Sequence, residues 1–244
     1  ALICQNYGWI EYNLEKHEKG EDYIKRALHF YEQKKMTASD ECILAQYNLS
    51  LIYTEKNDYE SALPLLVDLY NSIGRIQGED YTVRAHISTG IITGLLLLDK
   101  AQQAYDFANA EDENFADLYG KESIERIDYL QKTAGAFKFC GHIEAFEFLE
   151  KSRKLIKKAR LENSVWQASQ DNYVGVVFLD LENDAQTAQI YFESAKALLE
   201  NLSQQDTPLY SFVESNLQQA KDKIMDELIK RMAQTLIDEE GENK

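Results

Sequence analysis

The side chains that could carry chemistry are scattered along the chain, and their spacings assemble no reaction centre. His17, His29, His86 and His142 stand far apart. None falls in the H-E-x-x-H pattern that sets two imidazoles on one helix face for zinc. No G-x-S-x-G is present, so no serine is held on the strained elbow of a hydrolase. Gly120-Lys121-Glu122-Ser123 shares a lysine with phosphate loops, but it lacks a glycine five residues before Gly120 and a strand ahead of it. Asp112, Asn114 and Asp117 do not have calcium-loop spacing. Cys4, Cys42 and Cys140 are odd in number and form no C-x-x-C pair. They read as reduced thiols of a cytoplasmic protein rather than a disulfide framework or a zinc site. Asn48-Leu49-Ser50 and Asn201-Leu202-Ser203 satisfy a glycosylation pattern. Both fall inside expected helices of a chain with no secretion signal, which makes them chance matches. Carboxylates are abundant, and on helices their usual state is a solvated face paired with lysine four residues on. Burial, which would create an acid–base pair among them, cannot be read from sequence. The expectation is a protein that is not an enzyme and uses no metal or cofactor.

Bulk properties narrow the partners. The chain has 244 residues and a net charge of −16. Such a surface repels phosphate backbones, which argues against nucleic acid, and steers basic partners towards it. The longest apolar run, Leu95–Leu98, is far short of the roughly 18 residues a membrane span needs, so no membrane role is expected. Only Pro64 and Pro208 interrupt a composition rich in Leu, Ala, Glu, Lys and Gln, side chains that lose little freedom in a helix. The chain opens at Ala1-Leu2-Ile3 without Met and already in a helical pattern. It therefore reads as a piece of a longer protein, with any effector domain outside it.

The elements come from repetition. Ala45, Asn48, Leu49, Leu51, Ile52 and Tyr53 stripe one helix; after Glu55-Lys56-Asn57-Asp58, Tyr59, Ala62, Leu63, Leu66 and Leu69 stripe a second. Recurrence every three or four residues is what a helix with one buried face requires. A four-residue turn between two such helices makes an antiparallel hairpin. The layout returns at intervals of 42, 42, 41 and 43 residues, with Gly20, Ala62, Ala104, Ala145 and Ala188 opening the second helices. Four positions on stand Ile24, Leu66, Ala108, Leu149 and Phe192, and three further on Ala27, Leu69, Glu111, Ser152 and Ala195; Ala108 is a weak member and Glu111 breaks the pattern. Small side chains let two helices approach, and a bulky neighbour then fills the adjoining gap.

Hairpins are expected at 1–35, 40–75, 80–111, 122–160 and 163–202, with 112–121 as a longer polar connection. Phe212, Leu217, Ala220, Ile224, Leu228, Met232 and Leu236 stripe a capping helix over 203–237, with Pro208 in its first turn and Asp206 or Thr207 as cap. Residues 238–244 read as an acidic disordered tail. The fold class is all-α: a right-handed superhelical solenoid of about five antiparallel hairpins with a C-terminal cap, residues 1–202 forming the array.

Asn48-Leu49-Ser50 with Tyr53, then Asn57-Asp58-Tyr59 with Ala62, Leu66 and Leu69, resembles the tetratricopeptide repeat (TPR) superfamily, as do Asp184, Ala188, Phe192 and Ala195. The period near 42 is longer than that family's common one and resembles kinesin light chains and peptide-sensing regulators of Gram-positive bacteria. A HEAT-like array has a similar period, but the small-then-aromatic order of the second helices argues against it. The resemblance implies that first helices line a peptide-binding groove. By register its candidate residues are Gln5, Asn6, Trp9, Tyr12 and Asn13, then Tyr47, Asn48, Leu51 and Glu55, then His86, Thr89 and Thr93, then Gln131, Ala134 and Lys138, then Gln170, Tyr173 and Val177. Asn6 and Asn48 could clamp a peptide backbone through donors and acceptors at once. Trp9, Tyr12, Tyr47 and Tyr173 could supply flat apolar area. Gln5, Trp9 and Asn48 stand where chaperone-binding members carry carboxylate-gripping cations, so the expected ligand is a neutral or basic protein or peptide. The implied function is a scaffold or adaptor, with the sensing domain of a peptide-responsive regulator as the alternative; self-association stays open.

Overall fold

The computed structural model describes residues 1–14, 16–37, 39–73 and 81–242, excluding the side chains of Trp9, His17, Ile73 and residues 235–242. The described residues form eleven α-helices and no strand. Consecutive pairs make the hairpins: α1 (Leu2–Asn13) with α2 (His17–Gln33), α3 (Asp40–Glu55) with α4 (Tyr59–Ile73), α5 (Tyr81–Leu97) with α6 (Ala101–Tyr119), α7 (Ile124–Phe139) with α8 (Ala145–Lys158), and α9 (Val165–Asp180) with α10 (Ala185–Asn201). The last helix, α11 (Pro208–Glu242), packs on α9 and α10. Two compact units divide the chain, Ala1–Asn114 and Phe115–Lys244.

Local chemistry explains where the helices start and stop. Side chains of Ser39, Ser123, Ser164 and Asp184 accept backbone N–H groups at the starts of α3, α7, α9 and α10, satisfying donors that have no partner within the helix. Thr207 does the same for α11 through the N–H of Tyr210, with Pro208 in the first turn as expected. Within the hairpins, Asn57, Asp99, Gly141 and Asn183 adopt positive φ, each 42 positions after the last. The residues after three of them return N–H groups to the preceding helix, Asp58 to the Tyr53 carbonyl, Lys100 to Leu95 and His142 to Phe137. This closure ends a helix in a left-handed residue and reverses the chain.

The small-residue register is the core. Gly20 is buried, and Ala62, Ala104, Ala145 and Ala188 are all fully buried. A Cβ on Gly20 would lie 3.0 Å from the Gly8 carbonyl oxygen, so the backbones of α1 and α2 meet there. Ile24, Leu66, Ala108, Leu149 and Phe192 are buried four positions on, and Ala27, Leu69, Glu111, Ser152 and Ala195 three further. Glu111 thus keeps the register rather than leaving it.

The expected polar connection at 112–121 is corrected. Residues 112–119 continue α6, and the turn is confined to the few residues from Gly120 (φ +108°) to Ser123. Phe115 is fully buried and stacks on Tyr129 of α7 with centroids 4.5 Å apart, which anchors the last turns of the helix. The capping helix is longer than 203–237 suggests: α11 continues to Glu242, and residues 243–244 of the acidic stretch lie outside the described residues.

Candidate functional site

In each unit a cleft opens between first helices. In the N-terminal unit a cavity of about 340 Å³ lies between α3 and α5, lined by Tyr47, Leu51 and Thr54 on one side and His86, Thr89 and Thr93 on the other, with Leu66 of α4 beneath. In the C-terminal unit one of about 360 Å³ lies between α7, α9 and α11, lined by Lys138, Phe139, Asn172, Tyr173, Phe212 and Asn216. The register therefore brings Tyr47, Leu51, His86 and Thr89 to one cleft and Lys138 and Tyr173 to the other.

Their polar groups are positioned from within. Thr89 Oγ1 donates to the Ala85 carbonyl oxygen at 2.8 Å, and Thr93 Oγ1 to that of Thr89 at 2.9 Å. Each hydroxyl keeps lone pairs for an incoming donor. Lys138 Nζ donates to Asp180 Oδ2 at 2.9 Å, tying the end of α7 to the end of α9. Asn216 Nδ2 donates to Asn172 Oδ1 at 2.9 Å, joining α11 to α9. Burial pushes the phenols of Tyr47 and Tyr173 up, so both are neutral donors at neutral pH.

Other candidates lie elsewhere. Gln5 and Gln131 are buried, at 2% and 1% exposure, and serve the interior. Tyr31 donates its hydroxyl to Gln5 Oε1 at 3.0 Å; Gln131 accepts from Ser169 and donates to the Trp166 carbonyl and to Gln170. Ala134, Gln170 and Val177 are also buried, although Val177 touches the second cleft. Asn6 is exposed and Asn48 buried, so matched positions in successive repeats have unlike surroundings. Tyr12 donates to Glu55, bridging α1 and α3, and burial followed by that carboxylate pushes its phenol up. Asn13 is exposed at the end of α1, and the Trp9 side chain lies outside the described residues.

Two contributions escaped the sequence reading. Phe212 and Asn216 place α11 in a first-helix position beside α9, so it lines a cleft as well as capping the core. Continuing the repeat by one 42-residue period past Tyr173 falls at Ser215, next to Asn216. The second is a buried ion pair in the N-terminal unit. Arg84 of α5 grips Glu111 of α6 through Nε at 2.7 Å and Nη2 at 3.0 Å. Ser88 and Asn114 donate to the same carboxylate at 3.0 and 2.9 Å, and Tyr70 of α4 donates its hydroxyl. The guanidinium also lies over the Tyr70 ring, 5.1 Å from its centroid.

Among the described residues no group of three or more His, Cys, Asp or Glu could hold a metal ion, and no helix is long and apolar enough to cross a membrane.

Helices packed in adjacent pairs, with a small buried residue near the start of each second helix and clefts between first helices, make this a TPR-like fold. Solved structures share it. A Podosopora anserina chain described as a kinesin light chain with nearly identical TPR-like repeats superposes with a TM-score of 0.60 at 13% identity, over 82% of this chain and 95% of that one. BtubC (BKLC) from P. vanneervenii gives 0.53 at 17%, covering 90% and 92%. The apo form of RapI gives 0.52 at 16%, covering 91% and 83%. At these identities the likeness is one of fold. No protein-family model and no curated protein matches the chain.

Proposed function

We propose that this chain is a protein-interaction scaffold whose first-helix clefts each take one or two side chains of an extended peptide or helix from a partner protein. The observation that carries this reading is the make-up of the clefts. Each is an open seam between parallel first helices, with an aromatic ring, Tyr47 or Tyr173, beside hydrogen-bonding side chains. Rings give contact area at low entropic cost, and the hydroxyls and amides give orientation. The Lys138 ammonium is matched by Asp180, and the chain's net charge is −16, which favours a neutral or basic ligand over an acidic one. The clefts' own side chains supply binding groups rather than a nucleophile with its base.

A random peptide library selected on the chain tests this. Selected peptides should be neutral or basic. Their affinity should fall by about tenfold or more on Tyr47→Ala or Tyr173→Ala, the loss expected when an aromatic anchor is removed. Circular dichroism of both variants should match that of the parent. Peptides whose affinity neither substitution changes would place the site elsewhere.

A further inference from the structure

From Lys151 to Arg160 the end of α8 and the turn after it read Lys-Ser-Arg-Lys-Leu-Ile-Lys-Lys-Ala-Arg. Six of the chain's 26 cations and none of its 42 acidic residues fall in this stretch, so the rest of the chain carries −22. Phe148, Leu149, Ser152, Leu155 and Ile156 are buried. At about 100° per residue they occupy one side of the helix, and Arg153, Lys154, Lys157 and Lys158 spread over about 140° of the other. Earlier turns answer part of this charge: Lys151 pairs with Glu147 at 3.1 Å, and Arg153 and Lys154 pair with Glu150 at 2.7 and 3.5 Å. Among the described residues Lys157, Lys158 and Arg160 meet no carboxylate. Lysines in a last turn suit the helix dipole, but that does not account for the cleft in line with them.

A cavity of about 190 Å³ opens between α8, α9 and α10, lined by Phe146, Phe178 and Tyr191 with Glu150 and Arg153 on the α8 side. The rings form a ladder: Phe146 meets Phe178 edge-on with centroids 5.1 Å apart, and Phe178 stacks on Tyr191 at 5.8 Å. Phe146, Glu150, Arg153 and Lys157 follow one another at steps of four, three and four, which is one flank of a helix. That flank runs from an apolar end to a cationic one. We infer that it docks an acidic segment of a partner protein, which sets one apolar side chain in the cleft and its carboxylates against Arg153, Lys157 and Lys158. Charge complementarity selects this occupant. From Lys154 to Arg160 the patch is about 9 Å long, close to the Debye length of about 10 Å at 0.1 M salt. A short acidic segment therefore feels the patch alone, whereas a nucleic acid or a lipid surface reaches past it and meets the −22 of the remaining chain. A membrane also needs an apolar helix face to insert, and that of α8 is buried. The site is separate from the first-helix clefts. Pairs between exposed charges are weak, so its dissociation constant is on the order of 100 µM, too weak for a peptide library selection to retain.

Fluorescence anisotropy of a labelled peptide, leucine followed by a run of glutamates, titrated with the 244-residue chain to about 1 mM, reads the site directly. The peptide should bind, and replacing its glutamates by glutamines should weaken it by at least about tenfold. Lys157→Glu with Lys158→Glu should do the same, and Tyr191→Ala should weaken it about threefold or more by removing one wall of the cleft. Tyr173→Ala should leave it unchanged, and circular dichroism of the lysine variant, whose two positions are exposed, should match the parent. No binding over that range overturns the inference. So does binding indifferent to the glutamine exchange, the lysine reversal or Tyr191→Ala, or binding lost on Tyr173→Ala, which puts the peptide in the first-helix cleft. Duplex DNA or phosphatidylserine vesicles held more tightly than the peptide, and released by the lysine reversal, would equally overturn it.

Discussion

Glu111 is a fully buried carboxylate met by Arg84 and three neutral donors. Breaking such a pair strands a charge, so Glu111→Ala should cost about 3–5 kcal/mol. Replacing both partners, Arg84→Met with Glu111→Leu, should recover much of that loss, and urea denaturation of the two variants checks the difference. Asp171 is a second buried carboxylate, accepting from Ser194 at 2.7 Å and Gln167 at 2.6 Å. Burial pushes its carboxyl up, and the two hydrogen bonds offset this only in part. The fold therefore favours the protonated form. Its contribution is complete below the pKa of an unfolded aspartate, about 3.9, and is lost as pH rises through the higher native value. Stability measured across that window should fall in the parent and fall less in Asp171→Asn; identical profiles would remove Asp171 as the source. Neither residue was legible in the sequence. Glu111 looks like a break in an apolar stripe because its partner Arg84 is 27 positions away, and Gln5 and Gln131 look like groove residues because a buried amide and an exposed one are spelled alike.

Among the elements, close approach decides which residues are tolerated. A Cβ on Gly175 of α9 would fall 2.5 Å from Phe192 Cε1 of α10. Gly175→Ala should overpack this hairpin and cost about 1–3 kcal/mol, read by thermal and urea unfolding. A normal melt would show that the ring can move aside. This kind of constraint is what made the hairpins legible: Gly20, Ala62, Ala104, Ala145 and Ala188 recur at one position of each second helix, and all five are buried. The end of α6 was not legible for the opposite reason. Asp112-Glu113-Asn114 has the composition of a loop, and the contact that keeps it helical, Phe115 on Tyr129, involves a partner in the next helix. The role of α11 as a cleft wall was likewise hidden, because one helix without a second gives no hairpin to recognise.

For the molecule as a whole, charge and repetition act together. A net charge of −16 raises the local concentration of basic ligands and is screened by salt over about 10 Å at 0.1 M ionic strength. Affinity for a basic selected peptide should therefore weaken as salt rises, while that for a neutral peptide should hold nearly constant; isothermal titration at several ionic strengths distinguishes them. Among the described residues the helices touch those one or two places away in the order, so a ligand seated on first helices should slow exchange most there and least in the second helices. Hydrogen–deuterium exchange of the chain, with and without a selected peptide, measures this. The account predicts protection in α3 and α5, or in α7, α9 and the first turns of α11. Protection confined to α8 and α10, with the first helices unchanged, would contradict it.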